Sequence, residues 1–113
     1  MKIIRSRTSL SELWQNRTTQ TMDLLKIVVD IKRNIMAVDA EMHADLEDVL
    51  LDDGSEQEDL WGANLFPERT NDQHIEYTSF INIRPAQDNR SMEVKNEKIK
   101  NAILNIVNTL IER

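Results

Sequence analysis

Cysteine is absent from this 113-residue sequence, and glycine and proline occur only twice each. The lack of cysteine excludes disulfide bridges, thiolate metal sites and cysteine nucleophiles. The scarcity of glycine and proline leaves no flexible linker, so we expect a single domain over residues 1–113. A chain of this length can bury enough apolar surface to fold without disulfide bridges or structural metal ions.

Long hydrophobic runs are also absent. No apolar stretch approaches the roughly 20 residues that cross a bilayer, and none follows the charged N-terminus as the apolar core of a signal peptide would. We therefore expect a soluble, cytoplasmic protein with no membrane partner.

The charge of the chain is acidic, because 14 Lys and Arg residues stand against 20 Asp and Glu, for a net charge of −6. Duplex binding needs a basic surface to neutralise phosphates, so we expect no nucleic-acid partner. The sequence also lacks the phosphate-loop, dinucleotide-binding, nucleophile-elbow and zinc-finger patterns. These absences favour a protein that is not an enzyme, although they leave an unfamiliar active site open.

Hydrophobic periodicity predicts short strands interspersed with helices. Residues 26–31 (KIVVDI) and the stretch from Ile35 onward flank a polar turn, which predicts a β-hairpin. Ser9 and Glu12 form a capping-box pattern, which predicts the start of a helix. The predicted strands are residues 2–5, 26–31, 35–42, 60–66 and 75–84, and the predicted helices are residues 9–22, residues 44–52 ended by Gly54, and the C-terminal residues from Asn96.

The order of these elements predicts an α+β fold. Two hairpin-like strand pairs, with helices before, between and after them, indicate a mainly antiparallel sheet of four to five strands. We expect the N-terminal, central and C-terminal helices to pack on one face of that sheet.

The stretch VDAEMHADLE, residues 38–47, alternates apolar residues with acids and a histidine. Alternate side chains of a strand share a face, so the polar residues would lie in a row suited to a divalent metal ion. Glu41 and His43 are also candidate catalytic acid–base residues, and Asp30 on the neighbouring strand could approach them. The candidate metal ligands in the row are Asp39, Glu41, His43 and Asp45.

Two other interpretations of this stretch stay open. A half-buried strand with one wet face shows the same alternation without any chemistry, and this commoner interpretation is favoured. If the helix instead begins early, His43 and Glu47 become an i, i+4 pair and Asp39 leaves the set. We therefore favour no cofactor over a bound divalent metal ion.

The stretch INIRPAQDNRS, residues 81–91, predicts a second candidate site. Asn82 and Arg84 share a face of the predicted strand, and Arg90 follows in a polar loop. An arginine at a strand end can grip a carboxylate or phosphate, so these three residues are candidates for anion binding, and Arg84 for catalysis. The favoured alternative is that Arg84 pairs with acids on neighbouring strands and that Arg90 faces water.

The stretch EDLWGANLF, residues 58–66, combines a large aromatic residue with a glycine. A tryptophan on a strand is usually in the core or at an interface, and Gly62 beside Trp61 then permits close packing. The alternative is that Asn64 presents its amide to the face that carries Arg84.

Four blocks of the chain, VVDI, IMAVDAEMHADLE, DGSEQEDLWGANLFP and INIRPAQDNRS, follow one another in a recognisable order. In this order, with the HAD, GSxQxDLWGxN and INIRP patterns, the chain resembles a small family of uncharacterised prokaryotic single-domain proteins, a domain of unknown function. The resemblance covers nearly the whole chain. It implies a single domain of this length and supplies no catalytic residues.

Two functional hypotheses follow. The favoured one is a small non-enzymatic domain that acts through homo-oligomerisation or through binding another protein. It depends on the missing catalytic motifs and on apolar residues, such as Phe80 and Trp61, near polar strand faces. The alternative is a metal-assisted hydrolase or anion-binding enzyme that uses the acidic stretch at residues 39–45 together with Arg84.

Overall fold

A five-stranded antiparallel sheet organises the fold. The computed structural model describes residues 1–21 and 23–113, with the side chains of Asn71 and Asp72 outside the description. The strands of the main sheet are β1 (Lys2–Ile4), β3 (Leu25–Asp30), β4 (Ile35–Val38), β5 (Leu60–Leu65) and β6 (Ile75–Glu76). Their order across the sheet is β1-β4-β3-β5-β6. The remaining elements are α1 (Leu10–Gln15), α2 (His43–Asp52), α3 (Glu97–Leu110) and the parallel pair β2 (Thr8–Ser9) and β7 (Ile111–Glu112).

Helices cover both faces of the sheet. On the first face, Ile27 and Val29 of β3 pack in one apolar cluster with residues of α1 and α3. On the second face, Val28 packs with Leu46 and Leu50 of α2. The predicted α+β class and antiparallel sheet are confirmed, but the three helices do not share one face. The physical reason is that β3 is apolar on both sides, so each side needs its own cover.

The predicted hairpin is confirmed, with β3 and β4 paired in antiparallel register. Asp30 closes its turn, because its buried carboxylate accepts hydrogen bonds of 2.9 Å from the backbone N–H groups of Lys32 and Arg33. Asp30 pairs in register with Ile35, at the opposite end of β4 from Val38. The prediction that Asp30 approaches the acidic row beyond Val38 is therefore wrong.

The predicted start of the C-terminal helix and both predicted ends of the central helix lie within one residue of the observed ones. Asn96 caps α3, because its side-chain oxygen accepts hydrogen bonds from the N–H groups of Lys98 and Ile99. Gly54 follows α2 with a φ of +102°, a conformation that glycine adopts without strain. The N-terminal helix begins after its predicted cap, Ser9, but ends at Gln15. Its last predicted residue, Met22, lies outside the described residues.

Two predicted strands are much shorter in the structure. The strand predicted for residues 35–42 ends at Val38, because Asp39 adopts a left-handed conformation with a φ of +73°. The strand predicted for residues 75–84 ends at Glu76, and a short 3₁₀ helix spans Phe80–Asn82 instead. Asn82 and Arg84 therefore do not share a strand face.

Within residues 1–21 and 23–113, no helix combines the length and the apolar character that a membrane crossing requires.

Candidate functional site

A polar row lies at the end of the second sheet face, beyond the N-terminus of α2. Lys26 of β3 is in register with Asn64 of β5, and Asn64 is in register with Glu76 of β6. Residues in register share a face, so these three side chains lie side by side. The Asn64 amide nitrogen donates a hydrogen bond of 3.1 Å to the Glu76 carboxylate.

His43, the first residue of α2, lies against this row. Its Nε2 is 2.8 Å from the carbonyl oxygen of Ala63. Since a carbonyl oxygen can only accept, Nε2 carries the proton of this contact. Burial lowers the pKa of His43, and the positive charge of Lys26 lowers it further, while Ala63 and the Asn64 side chain oppose this shift. His43 is therefore a half-buried hydrogen-bond donor to the sheet, and burial favours its neutral form.

Two exposed apolar side chains stand beside the row. Phe80 is 76% exposed and Met42 is 58% exposed, although both are large and hydrophobic. Between them lies a hollow of about 200 Å³ that Lys26, His43 and Ala44 also line. A second hollow of about 340 Å³ shares Lys26, His43 and Phe80 and extends over Asn64 and Glu76. We call the surface formed by Lys26, Met42, His43, Asn64, Glu76 and Phe80 the Phe80 surface.

A close backbone approach positions Phe80. A Cβ atom at Gly62 would lie only 2.6 Å from the Cβ of Ser79, so only glycine lets the two chains come this near. Ser79 is buried, and its hydroxyl accepts a hydrogen bond of 3.3 Å from the N–H of Ile81 at the start of the 3₁₀ helix. Gly62 and Ser79 thus hold Phe80 over the sheet edge.

The Asn82 side chain also holds the Phe80 segment in place, and we call Gly62, Ser79 and Asn82 together the anchor of Phe80. The Asn82 side-chain oxygen accepts from the Gly62 N–H, and its side-chain nitrogen donates to the Gly62 carbonyl, each at 2.9 Å. The fully buried Asn82 amide therefore supplies hydrogen-bond partners for the Gly62 backbone, at the part of the β5 edge that does not pair with β6. Asn89 extends the anchor, because its side-chain nitrogen donates to the carbonyl of Asn82 at 2.8 Å.

Arg84 connects the same segment to α2. Its guanidinium donates to the Leu60 carbonyl, lies 4.8 Å from the centre of the Trp61 ring, and approaches the Glu47 carboxylate to 3.5 Å. The Arg84 and Glu47 side chains are only 11% and 12% exposed. Burial raises the pKa of Glu47, and the neighbouring Arg84 charge opposes this rise.

One family model matches residues 2–110, and its description is a protein of unknown function (DUF5674). The chain belongs to this family. No curated protein and no solved structure matches it. The match confirms a domain of unknown function over nearly the whole chain. That the family is prokaryotic, and that the blocks quoted above are characteristic of it, stay predictions.

In this DUF5674 domain, two acids of the predicted row bind the loop that follows α1. The Asp39 carboxylate accepts hydrogen bonds from the N–H groups of Thr18 and Thr19 and from the Thr18 hydroxyl. Glu41 accepts a hydrogen bond of 3.0 Å from the N–H of Gln20. Partial burial alone would raise the pKa of Asp39, but the hydrogen bonds from Thr18 and Thr19 outweigh it and lower that pKa. Both acids therefore fix the segment that follows α1.

The structure does not bring the four candidate metal ligands together. Asp39 and Glu41 face the loop after α1, His43 donates to the sheet, and Asp45 is exposed in the first turn of α2. Across the described part of the chain, three or more carboxylates or histidines lie close enough to share an ion only at Glu56, Glu58 and Asp59, and those acids are largely exposed. None of these three was a candidate from the sequence.

The three candidate anion-binding residues also separate. The Asn82 amide is bonded to Gly62, Arg84 is bonded to Leu60 and faces Glu47, and Arg90 is exposed. The interpretation that Arg84 pairs with an acid holds, although that acid lies on a helix. Trp61 is 1% exposed and belongs to the core, as its position on a strand suggested.

Two members of the DUF5674 domain's Phe80 surface could not be found by sequence reasoning. The alternation places Met42 on the buried side of a predicted strand, but that strand ends four residues earlier, at Val38. Lys26 carried no signal, because a lone lysine in a strand usually faces solvent. Phe80 is the member that the sequence links to association, as an apolar residue near a polar strand face, while His43 and Asn64 are candidates there for other roles.

Proposed function

We propose that this domain is a non-enzymatic association module whose Phe80 surface binds another protein chain. The observation that carries the proposal is the exposure of Phe80 at 76%, beside a hollow of about 200 Å³. Burying such a side chain contributes about 1.5–3 kcal/mol of favourable free energy, and association would supply this contribution by covering the ring. The cytoplasmic location expected from the sequence is part of this proposal.

The rigidity of the anchor supports binding through this surface. Phe80 lies on a segment held by the buried side chains of Ser79, Asn82 and Asn89. A side chain on an ordered segment loses less conformational freedom when a partner arrives. Aromatic residues, phenylalanine included, are enriched at protein–protein interfaces relative to the rest of the surface.

The alternative of a metal-assisted hydrolase or anion-binding enzyme gains no support from the contacts of its candidate residues. The carboxylates of Asp39 and Glu41 are bonded to the loop after α1, and the Arg84 guanidinium is bonded to the sheet. Each of these groups already has a structural role in the fold.

The proposal predicts that the hollow accepts an uncharged aromatic group. We expect N-acetyl-phenylalanine methylamide, added to dilute protein, to cause saturable amide chemical shift changes at Met42, His43, Ala44 and Ile81. The Phe80→Ser variant should lose these changes, because Phe80 forms one wall of the hollow.

The matched control is Ile83→Ser. Ile83 is another exposed apolar residue, at 43%, on the same segment, but it lines neither hollow. This variant should bind the probe as the unmodified protein does. Shift changes that do not saturate, or that disappear equally in both variants, would contradict the proposal.

A further inference from the structure

The Phe80 surface carries both halves of a self-complementary contact. A protruding ring, Phe80, stands directly beside a hollow bordered by Met42, His43 and Ala44. In a two-fold symmetric dimer the same patch meets itself, so a protrusion and a recess must lie next to each other on one chain. This adjacency is present here.

The size of the hollow matches the protrusion. An apolar cavity of about 150 Å³ is enough to hold a benzene molecule. The hollow of about 200 Å³ therefore has room for the ring of one phenylalanine. The walls that such a ring would contact include the Met42 side chain and the Ala44 methyl group, which are both apolar.

The charges of the surface also complement themselves. Lys26 and Glu76 carry opposite charges and lie on either side of Asn64 in the polar row. A strongly acidic or strongly basic partner would meet a like charge at one of these positions. A second copy, rotated by half a turn, presents one cation and one anion in the reverse order.

We propose that the occupant of the Phe80 surface is a second copy of this chain, related by a two-fold axis, with each Phe80 ring in the hollow of the other copy. In this arrangement Lys26 of each copy faces Glu76 of the other. The inference rests on the proposed function, because it names the partner for the same surface.

Sedimentation equilibrium over about 1 µM to 1 mM tests the dimer directly. We expect a monomer–dimer equilibrium in the unmodified protein. Phe80→Ser should raise the dimer dissociation constant by about 30-fold or more, as truncation of a central aromatic residue does. Ile83→Ser should change it by less than about threefold, because rim positions contribute little.

A charge exchange between two variants tests the two-fold geometry. Lys26→Glu alone and Glu76→Lys alone should each weaken self-association, since each homodimer would contain two like-charge contacts. An equimolar mixture of the two variants should associate as a heterodimer, because both charge pairs are then restored. Circular dichroism of each variant establishes that it is folded before the comparison.

The outcomes separate this inference from the proposed function. A monomer at every concentration whose hollow still binds the aromatic probe would overturn the second-copy assignment and leave the proposed function standing. A monomer that binds no probe would overturn both. A dimer that Phe80→Ser leaves unchanged, or a variant mixture that fails to form heterodimers, would overturn the two-fold arrangement.

Discussion

Asp39 shows how a chemically suggestive residue can serve the fold. Its backbone has a φ of +73°, which ends β4, and its carboxylate accepts hydrogen bonds from the backbone N–H groups of Thr18 and Thr19 and from the Thr18 hydroxyl. Sequence alternation identified Asp39 as polar and accessible. It could not reveal the partner, because Thr18 and Thr19 lie about 20 residues earlier, in a segment without a periodic pattern.

The Asp39 contacts predict a pH-dependent stability. The folded pKa of this carboxyl is lowered from 3.8, so its contribution is present above the unfolded pKa and is lost as the pH falls through the folded one. Asp39→Asn, which tolerates the same φ, should lower the free energy of unfolding by about 1 kcal/mol at pH 7. Urea denaturation at pH 7 and pH 3 should show this difference shrinking at the lower pH.

Asp88→Asn is the matched control for this prediction. Asp88 is exposed and also has a positive φ, of 58°. It should show little difference between the two pH values. An Asp39→Asn effect that stays constant from pH 7 to pH 3 would contradict the role assigned to the carboxylate.

Gly62 gives a second prediction for a single residue. Gly62→Ala would place a Cβ 2.6 Å from the Ser79 Cβ, so the backbone must shift at a cost of about 1–3 kcal/mol. Chemical denaturation should detect this loss. Ser79→Gly in the Gly62→Ala background should recover part of it by removing the clashing atoms. No recovery in the double variant would show that the Ser79 contact is not the cause.

At the scale of elements, the regular ones follow from local patterns. The hairpin, the cap of α3 and the glycine after α2 agree with turn and capping chemistry that is encoded within a few residues. The strand predicted for residues 75–84 is wrong for a long-range reason. The Asn82 side chain, rather than a strand, satisfies the β5 edge at Gly62. The alternation of residues 75–84 does not reveal that a side chain takes the place of strand pairing there.

The link between α2 and the segment after the 3₁₀ helix predicts a destabilised variant. Arg84→Met would leave the Glu47 carboxylate buried without its cation, at a cost of about 3 kcal/mol near neutral pH. Without Arg84 the folded pKa of Glu47 rises further above its ordinary 4.5. A raised carboxyl pKa makes stability fall as the pH rises through it, so the cost should be smaller at pH 5 than at pH 8.

Thermodynamic comparison with Glu47→Gln/Arg84→Met checks this link. The double variant has no buried carboxylate, so it should be more stable at pH 8 than Arg84→Met alone. Equal stability of the single and double variants at pH 8 would contradict the pairing of Glu47 with Arg84.

At the scale of the whole molecule, composition and element order predict the α+β class and the antiparallel sheet correctly. They do not predict that helices cover both faces, because alternation identifies the two sides of a strand without saying which helix packs on which. The candidate site in the structure, the Phe80 surface, differs most from the sites predicted from the sequence. Its members come from β3, the start of α2, β5, β6 and the 3₁₀ helix, and only the topology brings them together.

Association of the chain through the Phe80 surface can be observed by recording amide chemical shifts in a dilution series. We predict that shift changes between about 1 mM and 20 µM protein cluster at Met42, His43, Ala44 and Ile81, and that Phe80→Ser abolishes them while Ile83→Ser does not. Changes confined to the opposite sheet face, around α1 and α3, would contradict association through the Phe80 surface.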